Sequence, residues 1–313
     1  MTASIDLRVW RQFLAVAEEL HFGRAATRLH MTQPPVTQAI AQLEGAIGVR
    51  LFDRTRRSVA LTPAGAALVP EVRDLLARAQ ELPARARAAA AGEVGRVRLA
   101  FVSTIGFERL PGWVREFRAL CPAVALELVE ATGDVQLEAL ARGEIDAGLV
   151  LHSPGAAPAG LACLAVATEP LVLAVPTQHP LARARQLELE AVLAEPLVAF
   201  PRRILPSVHD AILALYHGVG RVPEVAQEAI QMQTIVNLVS GGLGVAWVPE
   251  SVTQFRRTGV VYRTAAEFAA LPGRRRGALA LPGCETSLVW PAASDNPALA
   301  RFVDFVRERG LAQ

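Results

Sequence analysis

Apolar residues recur at helical spacing through roughly the first ninety positions and then give way to short apolar runs alternating with helical stretches, so two kinds of domain share the chain. From Asp6 to Leu20 the set Leu7, Trp10, Phe13, Leu14, Ala17 and Leu20 predicts a first helix. Gly23 to Leu29 predicts a short second one, and Ala25 and Ala26 would let another helix cross it closely. After a tight connection at His30 and Met31, Thr32 can cap a third helix. Its first turn holds Pro34 and Pro35, where a missing N–H costs no intrahelical bond. On that helix Val36, Ile40 and Leu43 share one stripe. Pro34, Gln38, Ala41 and Gln42 fall opposite, with Thr37 on the flank. One stripe packs and the other is left to read a partner, a helix-turn-helix arrangement.

Val49–Phe52 and Val59–Leu61 predict two strands around Asp53-Arg54-Thr55-Arg56-Arg57-Ser58, a basic hairpin tip that turns the module into a winged one. Thr62 and Pro63 then open a long helix. Its apolar positions Leu68, Val72, Leu75, Ala79 and Leu82 have coiled-coil spacing, and packing on its own domain is the competing reading. Pro70 should bend this helix and Pro83 should end the clean seam, leaving Ala84 to Gly95 as a hinge.

From Arg96 onward, strands are expected at Val97–Val102, Ala125–Glu130 and Ala147–Leu151, with helices at Glu108–Leu120 and Asp134–Arg142 between them. A second set follows: strands Leu171–Val175, Leu197–Phe200 and Gly244–Val248, and helices Ser207–His217 and Met232–Ser240. Strands around Ala278–Leu281 and Ser287–Trp290 and a helix Pro297–Arg309 close the chain. Such alternation predicts an α/β domain with a mainly parallel sheet.

The overall charge of +2 becomes informative when divided. Residues 1–92 hold 12 Arg against 8 acids, whereas residues 93–313 hold 20 Arg against 22, so the basic excess sits with the candidate reading head. The N-terminus lacks a basic-then-apolar leader and no run of about eighteen apolar residues occurs, which points to a cytoplasmic protein with no membrane partner. Cys121, Cys163 and Cys284 lack disulfide or zinc spacing and read as buried reduced thiols, with a redox switch as the alternative. No G-x-S-x-G elbow, P-loop or H-E-x-x-H occurs, and Gly241-Gly242-Leu243-Gly244 reads as a tight turn. The expectation is therefore a non-enzyme without metal or cofactor. A solute receptor is the main rival, and it would leave the first ninety or so residues unexplained.

His21-Phe22-Gly23-Arg24-Ala25-Ala26, Gln33-Pro34-Pro35-Val36-Thr37-Gln38, Leu43-Glu44, Gly48-Val49-Arg50-Leu51-Phe52-Asp53-Arg54 and Leu61-Thr62-Pro63-Ala64-Gly65 together resemble the N-terminal domain of LysR-type transcriptional regulators. The later segments resemble the same family's effector domain more loosely. The resemblance implies an N-terminal all-α winged helix-turn-helix over 1–62 and a linker, dimerisation helix and hinge over 63–92. An α/β two-lobed, periplasmic-binding-protein-like (type 2) effector domain would follow over 93–313, with lobe I about 93–166 and 269–313 and lobe II about 167–268. It further implies double-stranded operator DNA, a small-molecule effector, RNA polymerase and further copies of the chain as partners, the copies forming a dimer and a tetramer built as a dimer of dimers. On the family's pattern Gln33, Pro34, Thr37 and Gln38 face DNA, with Gln standing at position 38 where Arg is commoner, and the neighbouring Thr32 and Gln42 are expected to join that DNA-facing set. Arg54, Arg56 and Arg57 would meet phosphate or the minor groove, and Leu68, Val72, Leu75, Ala79 and Leu82 the dimer partner.

In open α/β sheets ligands bind beyond the carboxyl ends of strands. That singles out the loops carrying Ser103 and Thr104, Thr132, and Phe200 with Arg202, a set suited to a small organic carboxylate with an aromatic or diene-derived body. For Ser103 and Thr132 helix capping is the competing role, and for Arg202 and Arg203 a solvated surface.

Overall fold

The computed structural model describes residues 5–55, 58–107, 109–269 and 281–309. The chain divides into two compact units, Met1–Arg87 and Ala88–Gln313. In the first, α1 (Leu7–Glu19), α2 (Phe22–Arg28) and α3 (Gln33–Ile47) pack together, followed by β1 (Phe52–Arg54), β2 (Val59–Leu61) and α4 (Pro63–Ala90). Asp6 caps α1 by accepting from the Arg8 N–H at 2.7 Å, and His21 caps α2 through Nδ1. Ala25 and Ala26 are buried at the helix crossing, and Phe13, Phe22, Ile40, Leu43 and Phe52 fill the core around them. Across α1, α2 and α4, Glu18 accepts from Arg28 at 2.9 Å and Arg73 at 3.0 Å, and the Arg73 hydrogen bond holds its carboxyl below the usual carboxylate range.

The wing begins later than the Val49–Phe52 expectation. Glu44 on α3 accepts from the Leu51 and Phe52 N–H groups at 2.8 and 3.1 Å, so these amides serve a helix-to-wing tie and the ladder starts at Phe52, opposite Leu61. Helix α4 also departs from expectation: it runs unbroken through Pro70 and Pro83 to Ala90, where a hinge from Ala84 was anticipated. Its start is as expected, with Thr62 Oγ accepting from the Gly65 N–H at 3.0 Å. Gly65 has no substitute, because a Cβ there would lie 2.2 Å from the Leu51 carbonyl oxygen.

The second unit runs β3 (Gly95–Phe101), α5 (Ser103–Gly106), α6 (Leu110–Leu120), β4 (Val124–Glu130), α7 (Gly133–Ala141), β5 (Ala147–His152) and β6 (Ala162–Pro176). It continues with α8 (Pro180–Arg183), α9 (Leu189–Val192), β7 (Leu197–Ala199), α10 (Pro206–His217), β8 (Val225–Glu228), α11 (Met232–Ser240), β9 (Ala246–Pro249), β10 (Val260–Arg263), β11 (Gly283–Trp290) and α12 (Pro297–Arg309). The sheet is mixed and not mainly parallel. Only β3 with β4, β3 with β5, and β7 with β8 pair parallel among the named strands, because β11 returns from the chain's end and inserts antiparallel between β5 and β6.

Strand β6 carries both lobes. Residues 162–170 pair with β11, whereas 171–176 pair with β9 and β10, so partners change at Pro170–Leu171 within one 15-residue strand. Lobe I centres on Leu99, Phe117, Leu149 and Phe302, and lobe II on Leu173, Val208, Tyr216 and Trp247. The Gly-rich turn is steric: Gly244 has φ +150°, and a Cβ there would meet the Pro196 carbonyl at 2.1 Å. Cys121 and Cys284 are buried but Cys163 is exposed, which corrects the expectation of three buried thiols. Of the strand expected around Ala278–Leu281, residues 278–280 lie outside the described residues and Leu281 stands just ahead of β11. Among the described residues no helix is long and apolar enough to cross a membrane.

Candidate DNA-reading face and effector pocket

Helix α3 presents two opposite faces. Val36, Ile40 and Leu43 are sealed in the core, while Gln33, Pro34, Gln38, Ala41 and Gln42 are exposed. Thr32 stands at the N-cap position with extended backbone and no side-chain capping bond, and the half-buried Thr37 donates its hydroxyl to the Gln33 carbonyl at 3.1 Å. The free face is therefore an amide-rich strip able to donate and accept at base edges. Of the wing arginines, Arg54 turns inward: its guanidinium pairs with Glu44 at 2.8 Å and lies 4.8 Å from the centre of the Phe22 ring. Arg56 and Arg57 lie outside the described residues. Along α4, Val72 is buried in the head's own core and Leu68 packs against it, Ala79 is half-buried, and Leu75 and Leu82 stand exposed.

Between the lobes of the second unit lies a small cavity of about 40 Å³ that is partly open to solvent. Ser103 and Thr104 reach it from the end of β3, Thr132 and Gly133 from the end of β4, and Phe200 from the end of β7. Val102, Leu151, Ile204, Leu205 and Ile230 supply apolar wall, and Gln231 and Met232 bring the start of α11. Ser103 is not a cap, since Val102 holds that position, and Thr132 is at the N-cap of α7 without its side chain bonding a backbone N–H there. The Thr104 hydroxyl is buried and has no hydrogen-bond partner among the described residues. Near the cavity the lobes are tied by the Ser153 N–H, which donates to Ser207 Oγ at 2.9 Å.

Arg202 does not join this cavity. It makes a two-pronged pair with Asp210 at 2.8 and 2.7 Å, eight residues further along, so its charge is spent on α10. Arg203 reaches across instead to Asp134 at 3.1 Å.

Two family models cover nearly the whole chain: a bacterial regulatory helix-turn-helix protein of the lysR family over residues 7–66, and a LysR substrate binding domain over residues 90–311. The chain belongs to the LysR family of transcriptional regulators. This LysR-type regulator is 41% identical to the HTH-type transcriptional regulator IlvR of Caulobacter vibrioides, over 98% of this chain and 99% of that protein. It is 39% identical to the regulator AlsR of Bacillus subtilis over 83% and 85% of the two chains. A solved structure of full-length CbnR complexed with its target DNA superposes with a TM-score of 0.78 at 29% identity, covering 97% and 99%. The fold is accordingly a DNA-binding head joined to an effector-binding domain, and the protein is a regulator and not an enzyme.

Sequence reasoning missed Gln231 and Met232 because β8, the strand leading to them, is exposed along its whole length and carries no alternation to detect. It also missed Asp134 as a partner of Arg203, a contact between residues sixty-nine positions apart that no local pattern announces.

Proposed function

We propose that the regulator grips two operator half-sites as a dimer, reading bases with Gln33, Thr37, Gln38 and Gln42 of α3. In this reading its output changes when a small organic carboxylate occupies the interlobe cavity. The observation that carries the effector reading is the cavity itself. Three strand-to-helix loops of two lobes converge there on an apolar wall with hydroxyls and a helix start, and a ligand that touches both lobes can favour one arrangement of them over another. With Arg202 and Arg203 both engaged elsewhere, the anion is held by uncharged donors, principally the N–H groups at the start of α11, whose first turn carries no acid. Association runs through the exposed positions Leu75 and Leu82 of α4, and a dimer of dimers with contacts to RNA polymerase completes the proposal.

Footprinting of candidate operator DNA with and without a panel of carboxylates tests the reading directly. A true effector alters the protected region, and at one hundred times its Kd stabilises the native domain by about 2.7 kcal/mol. Ser103→Ala and Thr132→Val are expected to blunt that thermal shift, while Arg202→Ala leaves it intact. If all three variants respond like wild type, the effector binds elsewhere.

A further inference from the structure

The Thr132 hydroxyl contacts Asp134 Oδ1, and Asp134 Oδ2 accepts from Arg203 Nη1 at 3.1 Å. An ionised carboxylate can only accept. The single hydroxyl proton of Thr132 therefore lies on the bond to Asp134, and what Thr132 turns towards the cavity is a lone pair. Glu130, on the same wall, is also acceptor-only when ionised. This chain of contacts bridges the lobes, since Thr132 and Asp134 belong to lobe I and Arg203 to lobe II. The lobes also come close here, because a Cβ on Gly133 would sit 3.4 Å from the Ile204 carbonyl oxygen.

We infer that the effector is a carboxylic acid that also bears a hydroxyl or ammonium donor, and that Thr132, held by Asp134 and Arg203, selects for that donor. The inference rests on the carboxylate reading above and sharpens it. A plain apolar acid placed in the cavity would leave the Thr132 acceptor desolvated and unpaired, and its carboxylate could find no proton on the Glu130–Thr132 wall. A hydroxy or amino acid satisfies both ends: its donor meets Thr132 Oγ, and its carboxylate meets the N–H groups at Gln231 and Met232, across a body covered by Phe200 and Leu151. Asp134 and Arg203 are positioning residues in this scheme, acting through the orientation of one hydroxyl.

Calorimetric titration of the full-length protein with matched sets tests this: phenylacetate, mandelate and phenylglycine; 3-methylbutanoate, 2-hydroxy-3-methylbutanoate and valine; propanoate, lactate and alanine. In at least one set the donor-bearing member is expected to bind about tenfold or more tightly than its plain acid, the size of one buried group left unpaired. Asp134→Asn gives Thr132 a partner that can donate to it and releases its hydroxyl proton to the ligand, so the ratio within the set should collapse or invert. Because the ratio compares two ligands on one protein, a variant that merely lost some folded fraction would not move it. Plain acids binding as well as their partners overturns the donor inference and leaves the carboxylate reading standing. A preference that survives Asp134→Asn unchanged overturns the role given to Thr132. Binding by no member of any set overturns both readings together.

Discussion

The reading helix and the effector cavity solve opposite problems with similar side chains. On α3 the polar residues are exposed and point away from a core made by their own helical neighbours, so availability follows from one stripe of Val36, Ile40 and Leu43. In the effector domain, by contrast, several arginines are already engaged: Arg202 by Asp210, Arg203 by Asp134, and Arg98 by Asp146. An exposed, unengaged polar side chain invites a macromolecule. An engaged one sets the geometry of its neighbours, and the ligand meets those neighbours instead.

Helix α4 sharpens the comparison most, because it contains both situations three residues apart. Val72 is 3% exposed and Leu75 is 43% exposed, although both fall on the same predicted seam. Val72→Asp places a charge inside the head's core and is expected to cost about 4 kcal/mol or more, abolishing the head's melting transition in calorimetry. Leu75→Asp should leave that transition in place and shift the protein from dimer to monomer in sedimentation velocity. A full-strength dimer of Leu75→Asp assigns the association surface to another face.

Within the effector domain the largest single polar contribution expected is Asp146. Burial works against its ionisation, but it accepts from the Arg98 backbone N–H at 2.7 Å and from the guanidinium at 3.2 and 2.7 Å, and these bonds hold its carboxyl below the usual carboxylate range. Asp146→Ala should cost about 2 kcal/mol at neutral pH, the scale of hydrogen bonds to a charged group. The sign of the pH dependence follows from the depressed value. The wild type's advantage is fully present above the unfolded pKa of about 3.9 and is lost as pH falls through the lower native one. Urea midpoints for both proteins between pH 7 and pH 2 should therefore converge at the acid end, and an advantage that grows on acidification excludes this role.

How much of this was readable without coordinates depends on how far the signal travels along the chain. The faces of α3, the start of α4 at Thr62 and the extents of α11 and α12 follow from patterns within one or two turns, and they stand where periodicity puts them. Strand β6 was read only as its buried half, Leu171–Val175, because residues 162–170 alternate weakly and lack a continuous apolar run. The insertion of β11 depends on pairing between residues more than a hundred positions apart, which periodicity cannot express. At the cavity, Ser103, Thr104, Thr132 and Phe200 were found because strand ends are local features. Arg202 was placed with them on charge alone, and the acid that claims it, Asp210, sits eight residues further on, in α10.

A change of side chain on the free face of α3 should alter specificity with no loss of stability. Gln pairs bidentately with adenine, whereas Arg favours guanine. Gln38 is exposed and its replacement by Arg disturbs no described contact, so Gln38→Arg should shift preference at one position per half-site by roughly 1 to 3 kcal/mol. Selection from a randomised-site pool reads the change, and an unaltered motif removes Gln38 from the reading set.

The smallest effect separates two arginines of one wing. Arg54 is committed to Glu44 and the Phe22 ring, so its loss should act on the fold: Arg54→Ala is expected to lower the head's stability by about 1 kcal/mol, with the salt dependence of DNA binding nearly unchanged. Arg56, which falls between β1 and β2 in the sequence, is proposed to meet the phosphate backbone or minor groove, where a cation contributes by displacing counterions condensed on the duplex. Removing one such contact weakens binding to every sequence alike and flattens the slope of log affinity against log salt by about one unit. Arg56→Ala should show that flattening with an unchanged melting temperature, the reverse of Arg54→Ala. If both variants flatten the slope equally, Arg54 leaves Glu44 on binding DNA. If Arg56→Ala instead loses affinity for one sequence alone, the wing tip reads bases and the division between reading helix and positioning wing does not hold.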